Sequence, residues 1–236
     1  MVPFSFAGQE WRLTTGNALF WPRENALLVA DLHLEKASFF ARTGQMLPPY
    51  DSRETLGRIA AALRATGARR VFCLGDSFHD TGGLARLEPH AAGMLAALTR
   101  ATDWVWIAGN HDGLSAGGGL SADARAGAKA NGGETVEELA LSGVTLRHAA
   151  QRGEAAPEIS GHFHPKLTLT VRGRRITRPC AVRAETRLVL PAFGALTGGM
   201  AAADPAIRRA LEPSDAADAL VSAAGRMVCI PLWRSA

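Results

Sequence analysis

Three apolar runs in the first half of the chain each stop at residues able to hold a metal ion, and no other feature constrains the fold as much. Leu28-Val29-Ala30 leads into Asp31-Leu32-His33, Val71-Phe72-Cys73-Leu74 into Gly75-Asp76, and Val105-Trp106-Ile107-Ala108 into Gly109-Asn110-His111-Asp112. Each run has the length of a buried strand. In open α/β sheets, ligand-handling side chains gather beyond the carboxyl ends of the strands, where loops converge on a crevice. Three such arrivals predict one site.

The segments between the runs read as helices. Asp51 with Glu54 three residues on resembles a capping box, Leu56, Ile59, Ala60 and Leu63 share one helical face, and Gly67 ends the pattern. Residues 89–98 form a second such segment, with Met94, Leu95 and Leu98 on one face. Strand, helix and strand in that order make βαβ units, so the class is α/β. A short helix is expected over 34–42, bringing Lys36 and Arg42 to the crevice mouth, with Pro48-Pro49 as its stop. Upstream, Trp11 to Trp21 suit a hairpin or edge strand turning at Gly16-Asn17 or Pro22-Arg23.

The second half is strand-rich, over 144–148, 158–164, 166–171 and 188–190, with a hairpin turn at Arg172-Gly173. Ser214 to Ala224 reads as a short helix and Val228 to Leu232 as a last strand. A Gly/Ala-rich stretch at 113–143, carrying Arg125 and Lys129, reads as a surface insertion that contributes to substrate access. No repeat or boundary divides residues 1–236, so one domain is expected.

With 236 residues, 47% hydrophobic and 20% charged, the chain can bury a full core, and disorder is excluded as an overall description. Cys73, Cys180 and Cys229 form no CxxC pair, which removes a disulfide framework and a cysteine zinc site; Cys73 and Cys229 read as core residues. No stretch approaches the ~20 apolar residues of a membrane span, and the first residues lack a basic region followed by an apolar one, so a cytoplasmic protein without a membrane partner is expected. The net charge of +4 is carried almost wholly by arginine. Arginines 172, 174, 175, 178, 183 and 187 could grip backbone phosphates, or could reflect a compositional bias. Phe39, Phe40 and Tyr50 are too scattered to suggest a platform for stacking bases.

The residues with ligand chemistry are Asp31, His33, Asp76, Asn110, His148, His162 and His164. Imidazole and carboxylate together suit manganese, iron or zinc, where an oxygen-only set would suit magnesium or calcium. Asp31 with His33, and His162 with His164, alternate along what should be extended chain, so each pair points to one side and can chelate one ion. Singly, Asp76 and Asn110 could be turn residues and His148 an ordinary exposed histidine. Their joint occurrence carries the metal reading.

Taken in order, Asp31-x-His33, Gly75-Asp76, Gly109-Asn110-His111-Asp112, His148 and Gly161-His162-x-His164 resemble the calcineurin-like metallophosphoesterase superfamily. The resemblance implies an αββα sandwich of two mixed β-sheets flanked by helices, with a dimetal site at the strand carboxyl ends. It also implies that Asp31, His33 and His164 hold one ion, Asn110, His148 and His162 the other, and that Asp76 bridges them. Two divalent transition-metal ions, manganese by preference, would clamp a phosphodiester and hold the attacking hydroxide, with His111 as general acid oriented by Asp112. Two positions depart from the family pattern. His79 stands where relatives carry a second aspartate, with Asp80 one further on, and is expected to support the site from behind. Glu35 replaces a frequent glycine and is expected to face solvent.

The phrases Gly75-Asp76-Ser77-Phe78-His79-Asp80, Gly161-His162-Phe163-His164-Pro165 and Leu190-Pro191-Ala192-Phe193-Gly194 look like the ligase-associated DNA damage response endonuclease group. That likeness implies DNA as substrate and a DNA ligase, a helicase and an exonuclease as repair partners. A phosphatase or phosphodiesterase for a small nucleotide or lipid intermediate, and a noncatalytic DNA-repair scaffold, are the alternatives.

Overall fold

The computed structural model describes residues 1–112, 132–153, 155–223 and 225–234. Gly117-Gly118-Gly119, Arg125 and Lys129 of the expected insertion lie outside them. Strands β1 (Val2–Phe6), β2 (Gln9–Leu13), β3 (Leu19–Trp21), β4 (Ala26–Val29), β5 (Arg70–Leu74), β6 (Asp103–Ile107) and β7 (Glu134–Val136) make one seven-stranded sheet in chain order. The pairs from β1 to β4 are antiparallel and those from β4 to β7 parallel, as the βαβ pattern requires.

Strands β8 (Leu139–Leu141), β9 (Val144–Leu146), β10 (Glu158–Ser160), β13 (Ala181–Arg183), β14 (Arg187–Val189), β15 (Ala216–Ala223) and β16 (Arg226–Arg234) form the second sheet, in the order β16-β15-β13-β14-β10-β9-β8. Within it, β9, β10 and β14 run parallel. A separate antiparallel hairpin, β11 (Lys166–Val171) and β12 (Arg174–Pro179), projects from the end of this sheet through the expected Arg172-Gly173 turn.

Side-chain alternation assembles the layers. Leu28, Phe72 and Leu74 point inward with Trp11, Trp21, Leu146, Ile159, Leu188 and Leu220, filling the space between the sheets. Their neighbours Leu27, Val29, Val71 and Cys73 point outward and pack against Leu56, Ile59, Ala91 and Leu95. The latter belong to α2 (Asp51–Thr66) and α4 (Pro89–Ala101), which with α1 (Lys36–Ala41) and α3 (Gly83–Arg86) cover the first sheet. On the far side Ile207 of α5 (Pro205–Ala210) packs with Val182, Val189, Ala217 and Ala219. The result is the expected sandwich of two mixed sheets between helices.

Four expectations are corrected. Residues 216–223 are a strand, not a helix: alanine favours helix in isolation, but Ala217, Ala219 and Val221 face the outer cluster while Leu220 faces the inner one, a period of two fixed by pairing with β13 and β16. Asp51 does not cap its own helix, whose N-cap is Tyr50; its carboxylate accepts from the Ala37 amide 3.1 Å away and so ties α1 to α2. Cys229 is exposed on β16, outside the core. Arg187 is fully buried, its Nε 3.2 Å from Glu158 and its guanidinium donating to the Gln151 carbonyl at 2.7 Å, and Arg183 pairs with Asp218 at 3.1 Å. Those two arginines serve the scaffold, which leaves 172, 174, 175 and 178 for any phosphate.

Candidate metal centre

The carboxyl ends of β4, β5, β6, β9 and β10 converge, and each delivers the residues that follow it. The first sheet contributes Asp31, His33, Asp76 and Asn110, and the second His148, His162 and His164. Two clusters result: ligand atoms of Asp31, His33 and His164 all lie within 4.8 Å of one another, as do those of Asp76, His148 and His162. His33 Nε2 of the first cluster is 3.9 Å from Asp76 Oδ2 of the second. All seven expected ligands are therefore brought together, with Asn110 Oδ1 2.6 Å from His148 Nε2.

The backbone does this differently from the extended chain expected. Asp31, His33, Asp76, His162 and His164 all have φ between 44° and 71°, in the left-handed region, which non-glycine residues seldom occupy. Each pair still aims at one point, but along a curled chain. The curl is held from both sides: the Asp31 and His33 amides donate to the Gly75 and Asp76 carbonyls, and the Phe193 and Gly194 amides donate to the Ala30 and Asp31 carbonyls. Carboxylates are fixed in the same way, Asp31 by the His162 amide at 2.9 Å and Asp76 by the His111 amide at 2.9 Å.

Two glycines make this closeness possible. A Cβ at Gly109 would stand 2.2 Å from the Asp76 amide nitrogen, and one at Gly75, which also has φ of +76°, 2.1 Å from His148 Nδ1. Neither position has space for a side chain.

Protonation fits cation binding. His148 Nδ1 donates to the Leu74 carbonyl at 3.1 Å, which turns its Nε2 toward Asn110 Oδ1 and, 3.1 Å away, His162 Nδ1. His33 is pulled down to about 2, by burial first and then by His164, His111, Lys36 and His79. His162 is lowered too, by burial and then by His148. Both shifts favour the neutral imidazole, the form that offers a nitrogen lone pair to a divalent cation. The mixed nitrogen and oxygen donors fit a transition metal.

His111 stands at the edge of the clusters, half exposed, with Nε2 4.0 Å from Asp76 Oδ2 and Nδ1 donating to the His79 carbonyl at 2.8 Å. Asp112, expected to orient it, does something else. Its carboxylate accepts from the Ser77, Phe78 and Gly109 amides at 3.0 to 3.2 Å, locking the β5 and β6 loops together. Burial pushes this carboxyl up, and the three amides oppose that. The orienting group for His111 is thus the backbone of His79, whose ring also stacks on His111 with centroids 5.5 Å apart.

Three features escaped the sequence. Glu35 is buried with φ of +64°, and its carboxylate accepts from Ser52 Oγ at 2.8 Å; a left-handed backbone there explains why glycine suits the position and why solvent is not its surrounding. Asp80 turns away from the clusters to Arg86 and Arg42. Phe39 and Phe40, judged too scattered, pack their rings on His79 at 4.7 and 5.5 Å. They form an aromatic wall beside His111. About one turn of α1 separates them from the first ligand block, and only their neighbourhood to His33 could have signalled it.

These clusters on the ends of two mixed sheets define a metal-dependent phosphoesterase. Residues 25–166 match the calcineurin-like phosphoesterase family, and the chain belongs to it. Among solved structures it is similar to the nuclease MPE of Pseudomonas putida, at 28% identity and a TM-score of 0.71, with 97% of this chain and 98% of that one covered. It is also similar to YfcE, a phosphoesterase from E. coli, at 14% identity and a TM-score of 0.42, covering 86% of this chain and 96% of that one. No curated protein sequence matches it. Among the described residues no helix is long and apolar enough to cross a membrane.

Proposed function

We propose that the chain is a dimetal-dependent phosphodiesterase that cleaves DNA. One observation carries the reading: two clusters of imidazoles and carboxylates lie side by side, with Asp76 of one 3.9 Å from His33 of the other and His111 Nε2 4.0 Å from the same carboxylate. Asp31, His33 and His164 would hold one cation, Asn110, His148 and His162 the other, and Asp76 would lie between, with manganese our choice of metal. When bound, such a pair offsets the charge of a phosphate and supplies hydroxide near neutral pH. Because the His79 carbonyl keeps the His111 proton on Nδ1, Nε2 of the protonated ring is the atom that passes a proton to the leaving alkoxide. Residues 1–236 act as one domain in this reading, since each cluster draws on both sheets.

DNA as substrate is supported by the nuclease relative, by the exposed arginines of the β11–β12 hairpin and by the Phe39/Phe40/His79 wall. Stacking on aromatic rings contributes about 1–3 kcal/mol per base without regard to sequence. The reading extends to a cytoplasmic DNA-repair setting with a DNA ligase, a helicase and an exonuclease as partners, on the likeness of the phrases at 75–80 and 190–194.

The test is hydrolysis of bis-p-nitrophenyl phosphate by chelator-treated protein with manganese restored, run beside the monoester. Restored activity on the diester, with little on the monoester, is expected. His111→Ala should lose about 10²- to 10⁴-fold in kcat while keeping its metal, and Asp76→Ala should lose the metal itself, measured by elemental analysis. Metal-loaded protein inert on both esters would defeat the reading.

A further inference from the structure

The β11–β12 hairpin leaves the body two residues after the ligand His164. Between Pro165 and Cys180 it carries five basic residues, Lys166, Arg172, Arg174, Arg175 and Arg178, and no acidic one. Its root is anchored by Leu167 and Leu169, which pack with Phe163 and Met200. Beyond the root, residues 170–178 are exposed throughout. Arg172, Arg174, Arg175 and Arg178 make no ion pair among the described residues, although acidic side chains elsewhere hold Arg70, Arg86 and Arg147. One face is polar: Thr168, Thr170 and Thr177 lie there with Arg175, and Thr168 and Thr177 join hydroxyls at 2.9 Å.

Two lysines stand close to the ligand blocks along the chain. Lys166 Nζ donates to the Thr197 carbonyl at 3.4 Å. Lys36, the first residue of α1, follows the ligand candidate His33 by three residues. A lysine thus follows each of the ligand candidates His33 and His164 within three residues, and the second opens the strand that leads to the arginines of the hairpin.

A free β-hairpin needs some charge on its edges to avoid pairing with other chains, a need that charges of either sign or a proline can meet. Five cations without an acid exceed it. At about 3.4 Å per residue the hairpin reaches roughly 20 Å from its root, a distance that spans several phosphates of a strand whose scissile phosphate lies between the clusters.

Resting on the phosphodiesterase reading, we infer that the β11–β12 hairpin is a backbone clamp for a polynucleotide strand, its arginines and threonines gripping phosphates adjacent to the one being cleaved. Interactions of this kind position a strand without reading its sequence. The hairpin therefore sets preference for polymer over small ester and leaves the chemical step alone.

The test is cleavage of a single-stranded oligonucleotide by the manganese-loaded enzyme over a salt series, with bis-p-nitrophenyl phosphate, which has no neighbouring phosphate, as control. In the quadruple variant Arg172→Gln, Arg174→Gln, Arg175→Gln and Arg178→Gln, KM for the oligonucleotide rises about tenfold or more, and the dependence of log(kcat/KM) on log[salt] flattens by roughly 0.7 for each phosphate that is no longer neutralised. Small-diester hydrolysis stays at the wild-type rate, and the corresponding quadruple lysine variant recovers the salt dependence. Unchanged KM and salt dependence in the glutamine variant overturn the clamp, as does an equal loss on both substrates, which would make the hairpin a support of the metal centre. Wild-type enzyme that hydrolyses the small diester and leaves the oligonucleotide intact defeats the nucleic-acid reading itself.

Discussion

Asp31, His33, Asp76, His162 and His164 hold a backbone conformation that costs about 1–3 kcal/mol for each residue and persists only where the surroundings over-determine it. Here the surroundings are other site residues, such as the Gly75 and Asp76 carbonyls that accept from Asp31 and His33. Tolerance for extra atoms is correspondingly small. Gly109→Ala, which sets a methyl against the Asp76 amide, should destabilise the fold by about 1–3 kcal/mol and weaken metal binding about 10- to 100-fold; urea unfolding and metal titration of the same sample check both. The identities of the seven ligand candidates were legible in the sequence because aspartate, asparagine and histidine after apolar runs are few. The curl that aims them was not, since a positive φ at a histidine has no sequence mark. Asp112 was misjudged for a related reason: a carboxylate beside a histidine in sequence is free to point at backbone amides instead.

At the level of elements, hydrophobic period was a reliable guide wherever both faces of a strand or one face of a helix were strongly apolar. Strands β4, β5 and β6 and helices α2 and α4 all follow from it. It failed at β15, whose small alanines support either period and whose state is decided by β13 and β16 on either side. Buried charge was also illegible. Arg187 and Glu158, both fully buried, lock β14 to β10 in the sheet that carries His162 and His164. Arg147 also pairs with Glu158, at 3.4 Å, so Arg187→Met leaves that buried carboxylate partly compensated and should cost no more than about 3–5 kcal/mol. A shifted urea midpoint with an unchanged slope would establish this, and the loss should exceed that of the double replacement with Glu158→Gln.

For the whole molecule, the decisive fact is that neither cluster belongs to one sheet. Asp31 and His33 reach His164 across the interface, and Asp76 reaches His148 and His162. Cations therefore bind the docked state and not the unfolded chain, and their binding adds RT ln(1 + [L]/Kd) to its stability, about 2.7 kcal/mol at a hundredfold excess over Kd. Calorimetry should show a Tm that rises with free manganese and falls on chelation; a Tm indifferent to metal would mean that the clusters do not bind it. The same arrangement gives the protein a built-in gauge. Residues up to 112 supply five of the polar groups around the centre, from Asp31 to His111, and residues after 132 supply the other three. Any event that shears one half of the chain against the other, whether a mutation in the apolar filling at Phe72 or Leu188 or a partner prying at a sheet edge, must register as a change in metal affinity, far from where the force is applied.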